Sequence, residues 1–137
     1  MSRSTLRAAT LVGVLVFLGA CNAPPYPAFS IENDSEAYAS VVVQDPSLRS
    51  SVRAGKPVVR RVADNCLHVL VPIRNVEDED ITVLAQISYR DRQHEPLGDE
   101  SPRQVLTIAP GGTVNFESTS RSDAADDYVV RLFWGNR

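Results

Sequence analysis

The chain has 137 residues, 43% of them apolar, and a formal net charge of −3 at pH 7. That length and apolar content suit one domain with its own core and exclude a disordered chain. The acid excess argues against nucleic acid as a partner, because phosphate contacts demand clustered Lys and Arg.

The first seven residues carry two positive charges, Arg3 and Arg7, and no acid. An apolar run follows from Ala8 to Leu18 and ends in Leu18-Gly19-Ala20-Cys21. A basic start, a short apolar stretch and small residues before a cleavage point mark a secretory signal. The run is too short to span a bilayer, which takes about 20 apolar residues. Leu-Gly-Ala-Cys fits the lipobox of bacterial lipoproteins, in which the cysteine thiol is acylated. The sequence thus predicts a signal over residues 1–20, lipidation at Cys21 and membrane attachment through the N-terminal lipid. Two or three acyl chains make such attachment stable. Loss of Arg3 and Arg7 leaves 12 positive residues against 17 acids, about −5. That balance offers no basic patch for anionic headgroups.

Asn22 follows the cysteine, and a residue other than Asp there permits transfer to the outer membrane under the aspartate-avoidance sorting rule. The expected location is lipid-anchored and periplasm-facing in the outer membrane, with the inner membrane as the alternative. Residues 21–37 form the lipidated cysteine and a tether, since three prolines between Asn22 and Ala28 favour an extended spacer. The folded domain is placed at 38–137. Cys66, left without an internal partner once Cys21 is acylated, is expected to be a buried structural thiol.

Strands are expected at Tyr38 to Gln44, Lys56 to Ala63, and Cys66 to Arg74, where Leu67, Val69, Val71 and Ile73 share a face. Ile81 to Tyr89 alternates likewise, with Ile81, Val83, Ala85, Ile87 and Tyr89 inward. The acidic Glu77-Asp78-Glu79-Asp80 between the last two reads as a solvated hairpin turn. Gln104 to Ile108 and Thr113 to Ser118 flank Ala109-Pro110-Gly111-Gly112, whose Pro and Gly suit the centre of a type II turn. They read as a second hairpin. Tyr128 to Trp134 closes the chain, with Phe133 on the outward face, and Asp123 to Asp127 allows one helical turn. The predicted fold is all-β, a single antiparallel immunoglobulin-like β-sandwich of six or seven strands.

Little in the sequence points to catalysis. No Gly-x-Ser-x-Gly elbow, Ser-x-x-Lys motif or glycine-rich phosphate loop is present. His68 faces away from the apolar side of its strand. His94 lies in the turn-like segment Asp91 to Glu100, whose acids scatter around Pro and Gly without metal-ligand spacing. The expectation is a non-enzyme with no metal and no cofactor. Loops on a rigid scaffold usually carry binding, so Arg92, His94 and Glu95 are the candidate partner-binding residues. Tethering would raise the domain's local concentration for an envelope protein partner. The rivals are a structural envelope lipoprotein without a dedicated partner and a carrier of a small molecule or metal.

The order of these strands resembles the YcfL-like family of bacterial lipoproteins, across about residues 58–134. The resemblance rests on Leu67, Val69, Val71, Arg74 and Asn75, on Tyr89-Arg90-Asp91, on Ser101 to Pro110 and on the final Val129 to Trp134. It implies a lipobox followed by one small β-sandwich and carries over no catalytic residue. The chain departs from the family pattern at His94, where members commonly have Gly, and in having fewer aromatics in the Ile81–Tyr89 strand.

Overall fold

The computed structural model describes residues 38–135. The signal, Cys21 and the Pro-rich tether lie outside these residues. Within them run β1 (Val41–Val43), one helical turn α1 (Leu48–Ser51), β2 (Val52–Ala54), β3 (Val58–Arg61), a 3₁₀ turn (Ala63–Asn65), β4 (Leu67–Asn75) and β5 (Ile81–Arg90). The chain continues as β6 (Pro96–Glu100), β7 (Gln104–Ile108), β8 (Thr113–Thr119) and β9 (Asp127–Trp134). None of the described helices is long and apolar enough to cross a membrane.

Two sheets pack face to face. In the first, β1 pairs β9, β9 pairs β5, and β6 and β7 share the far side of β5. In the second, β4 is central, with β8 on one side and β2 and β3 sharing the other. Each shared edge is interrupted by a proline, Pro57 or Pro102, which has no N–H to give the ladder. The ladders survive the breaks: Gly55 N–H donates to the Pro72 carbonyl at 2.7 Å and Ser101 N–H to Ile87 at 2.9 Å.

The core follows from the two-residue alternation. Leu67, Val69, Val71 and Ile73 of β4 meet Ile81, Val83, Ala85, Ile87 and Tyr89 of β5, joined by Phe116, Val130 and Leu132. At about 25 cal/mol per Å² of apolar area, such a set supplies most of the drive to fold. The antiparallel sandwich is the predicted architecture, with more and shorter strands and with one parallel pair, β1 against β9.

Both predicted hairpins need correction. β4 and β5 lie in different sheets, so Glu77–Asp80 crosses from one layer to the other instead of turning within one. The same holds for β7 and β8. Ala109-Pro110-Gly111-Gly112 does make the predicted turn, with Gly111 at φ +62° and Gly112 N–H bonded to the Ala109 carbonyl at 2.8 Å. Asn75 ties the two crossings together. It is fully buried, donates to the Glu79 carbonyl (2.7 Å) and the Ile108 carbonyl (3.0 Å), and accepts from the Glu77 N–H (2.8 Å).

Cys66 also departs from expectation. It is half-buried at the end of the 3₁₀ turn, one residue before β4 turns its first side chain inward. Asp123 to Asp126 forms a turn and not a helix, with Ala125 N–H reaching the Ser122 carbonyl. Phe133 does face outward, but the Arg103 guanidinium lies 4.2 Å above its ring and covers it.

Candidate functional site

The segment read as one long loop from Asp91 to Glu100 is shorter. Pro96–Glu100 is β6, paired to β5 through Ser88 with Glu100 and Arg90 with Pro96. A bulge at Gly98, φ +66°, takes up the extra residues between those pairs. Arg92, His94 and Glu95 therefore stand on a tight turn at the end of a genuine hairpin.

Asp91 builds that turn. Its carboxylate Oδ1 accepts the N–H of Gln93 at 2.8 Å and of Glu95 at 2.9 Å. Its own N–H donates to the Glu95 carbonyl, and His94 N–H returns to the Asp91 carbonyl, both at 3.0 Å. His94 is forced to φ +65°, a left-handed conformation that glycine adopts without strain and a residue with a Cβ does not.

The imidazole is held from the other side of the hairpin. His94 Nδ1 lies 2.8 Å from Asp127 Oδ2, at the start of β9, and Arg90 Nη2 lies 2.6 Å from the same oxygen. Partial burial would raise the Asp127 carboxyl. The hydrogen bond with His94, the Tyr128 N–H and the Arg90 charge together outweigh that and hold it below the usual carboxylate range. The His94 side chain stays 71% exposed, so its other nitrogen is open to a visitor.

Arg92 is 81% exposed, with Nε 3.7 Å from Asp126 Oδ2, while Arg61 holds the other Asp126 oxygen at 2.8 Å. Glu95 is exposed. The structure thus presents all three predicted residues on one turn, and it adds Arg90, Asp126 and Asp127. These were beyond reach of the sequence, since Asp127 lies 33 positions from its partner His94.

Below the turn is an open cleft of about 550 Å³, bounded by Tyr38, Ser40, Arg90, His94, Asp127 and Tyr128. Ser40 Oγ donates to Tyr128 Oη at 3.3 Å. Burial pushes the Tyr128 phenol above its ordinary value, against the Ser40 hydrogen bond that lowers it. The arrangement fixes an imidazole and a cation above a hydroxyl-lined hollow. It suits polar recognition: His94 is oriented as a base is, but Ser40 is committed to Tyr128.

His68 lies on the outer face of the second sheet, with Nδ1 3.0 Å from Thr119 Oγ1 and Nε2 3.6 Å from Glu117. That is a pairing between neighbouring strands, with the imidazole itself only 13% exposed. Among the described residues, no group of three or more His, Cys, Asp or Glu side chains is placed to hold a metal ion.

No family model and no curated protein matches the chain. Two solved structures share its fold. The crystal structure of Campylobacter jejuni cj0090 is 18% identical, with a TM-score of 0.59 over 71% of this chain and 99% of that one. A DUF1425 family member from Shewanella is 11% identical, with a TM-score of 0.56 over 63% of this chain and 80% of that one. At such identities the likeness speaks for architecture alone: the chain adopts the fold of a group of small β-domain proteins.

Proposed function

We propose that this protein is a lipid-anchored, non-catalytic binding module of the bacterial cell envelope, related to the YcfL-like lipoproteins. In this reading residues 1–20 are removed, Cys21 is acylated, and the sandwich faces the periplasm from the outer membrane. An envelope protein docks on the β5–β6 turn through Arg92, His94 and Glu95.

The observation that carries the reading is His94. A bulky side chain occupies a backbone position suited to glycine, is fixed through Asp127, and remains open to solvent. Strain kept at an exposed, oriented polar group is characteristic of recognition sites. The fold likeness to small β-domain proteins is compatible with an accessory role.

Two measurements test the proposal. Labelled palmitate should enter the wild-type chain and not Cys21→Ser, and a labelled Cys21→Ser chain would remove the lipid anchor from the account. Pull-down from envelope extracts should lose one protein when Arg92, His94 and Glu95 are all replaced by Ala. Unchanged recovery of every envelope protein would rule out the turn as the docking site. The cleft beneath the turn favours the carrier as the second reading, which predicts a ligand-dependent rise in melting temperature.

A further inference from the structure

The four residues of β3 are all exposed, and they include two large apolar side chains, Val58 at 54% and Val59 at 46%. Neighbours in a strand point to opposite faces, so among the described residues neither face of this edge is fully covered. The strand's inner side is taken by β4, with Val58 opposite Leu70 and Arg60 opposite His68. Val62 N–H donates to the Cys66 carbonyl at 2.9 Å in the same register. By the alternation of an antiparallel ladder, Val58 and Arg60 turn their backbone groups to β4, and Val59 and Arg61 turn theirs outward. No described residue bonds to those outward groups.

Other edges are protected. Arg49 caps the Val43 carbonyl of β1, Gln104 caps the Glu117 carbonyl of β8, β6 is bulged, and β7 packs against β8. Strand β3 has no comparable device except charge. Lys56 and Arg60 have no ion-pair partner among the described residues, and Arg61 spends its charge on Asp126. The net negative charge of the chain conceals this basic edge.

We propose that β3 is a strand-addition site for an extended acidic segment of another protein. The partner's backbone would pair with Val59 and Arg61, its acidic side chains would lie on the face of Arg60 beside Lys56, and its apolar ones would cover Val59 on the other face. A second copy of this chain is a poor occupant. Two β3 edges placed antiparallel with Val59 opposite Arg61 would set the two Arg60 side chains directly against each other. The site is separate from the β5–β6 turn and does not depend on that turn's role.

The test uses the full chain in nonionic detergent at about 0.15 M salt, where screening beyond about 8 Å leaves only the local charge of the edge. The probes are the fluorescent hexapeptide Glu-Val-Asp-Val-Glu-Val and its basic counterpart Lys-Val-Arg-Val-Lys-Val, followed by anisotropy. The acidic peptide should bind about ten-fold tighter, the scale of two exposed charge pairs reversed in sign. It should also slow hydrogen exchange at Val59 and Arg61. Proline is tolerated on an edge where the N–H faces solvent, so Val59→Pro should keep its melting temperature and lose the peptide. Lys56→Glu with Arg60→Glu keeps the backbone and should reverse the preference. Equal binding of the two peptides, undiminished binding by a folded Val59→Pro, or β3-mediated self-association that excludes the peptide would overturn the proposal.

Discussion

Replacing His94 by Gly and, separately, by Ala separates what this residue does for the fold from what it costs. Both changes remove the 2.8 Å contact with Asp127, an exposed pairing worth about 0.5 kcal/mol. They differ at the backbone. Ala keeps a Cβ at φ +65°, a left-handed position that costs about 1–2 kcal/mol, whereas Gly removes that strain. Gly gives back about 0.5–1 kcal/mol because its unfolded chain is freer. The Gly variant should therefore lie close to the wild type in stability and about 1 kcal/mol above the Ala variant. In a domain of this size 1 kcal/mol corresponds to about 4–8 °C in Tm. Circular dichroism melts of the three proteins at pH 7 measure the difference. Equal Tm values for the Gly and Ala variants would refute the claim that His94 is held against its backbone preference. A Gly variant as stable as wild type that no longer pulls down the envelope partner would leave binding as the reason for the histidine.

Three more outcomes follow from the same geometry. Asn75→Ala strips the buried Ile108 carbonyl of its donor and opens a void under both inter-sheet crossings, costing about 2–4 kcal/mol in urea denaturation with an unchanged m-value. Gly111→Ala puts a Cβ at φ +62° in the Pro110 turn and should cost about 1 kcal/mol, read from the same denaturation curves. The depressed Asp127 carboxyl makes the unfolded chain bind a proton before the folded one does as the medium is acidified. Its contribution is complete above the unfolded value of about 3.9 and is lost as pH falls through the lower, folded value. Stability profiles from pH 6 to pH 2 should accordingly fall less steeply for Asp127→Asn than for the wild type.

Much of the fold was legible because β4, β5 and β9 alternate cleanly and each buries one face. The pairing of those strands was not. Alternation looks the same whether a short polar linker turns within a sheet or crosses between two, and the deciding contacts of Asn75 reach Ile108, 33 positions away. Strand β6 escaped because Pro96, Gly98 and two acids are poor strand formers. Its place is imposed by β5 through Ser88 and Arg90. Strand β2, three residues long after a helical turn, is too short to show a period. At the candidate site, composition picked out the turn but not its support. The family resemblance implied one clue, a glycine at the position where His94 adopts a positive φ.

We propose that the lipid-anchored domain meets its partner at the β5–β6 turn. The most direct measurement is in-cell photo-crosslinking from Arg92 and Glu95, with Asp78 as the control at the opposite end of the sandwich, followed by mass spectrometry. One dominant envelope protein should be captured from Arg92 and Glu95 and be absent from Asp78. The same set of proteins from all three positions, or none from any, would contradict it.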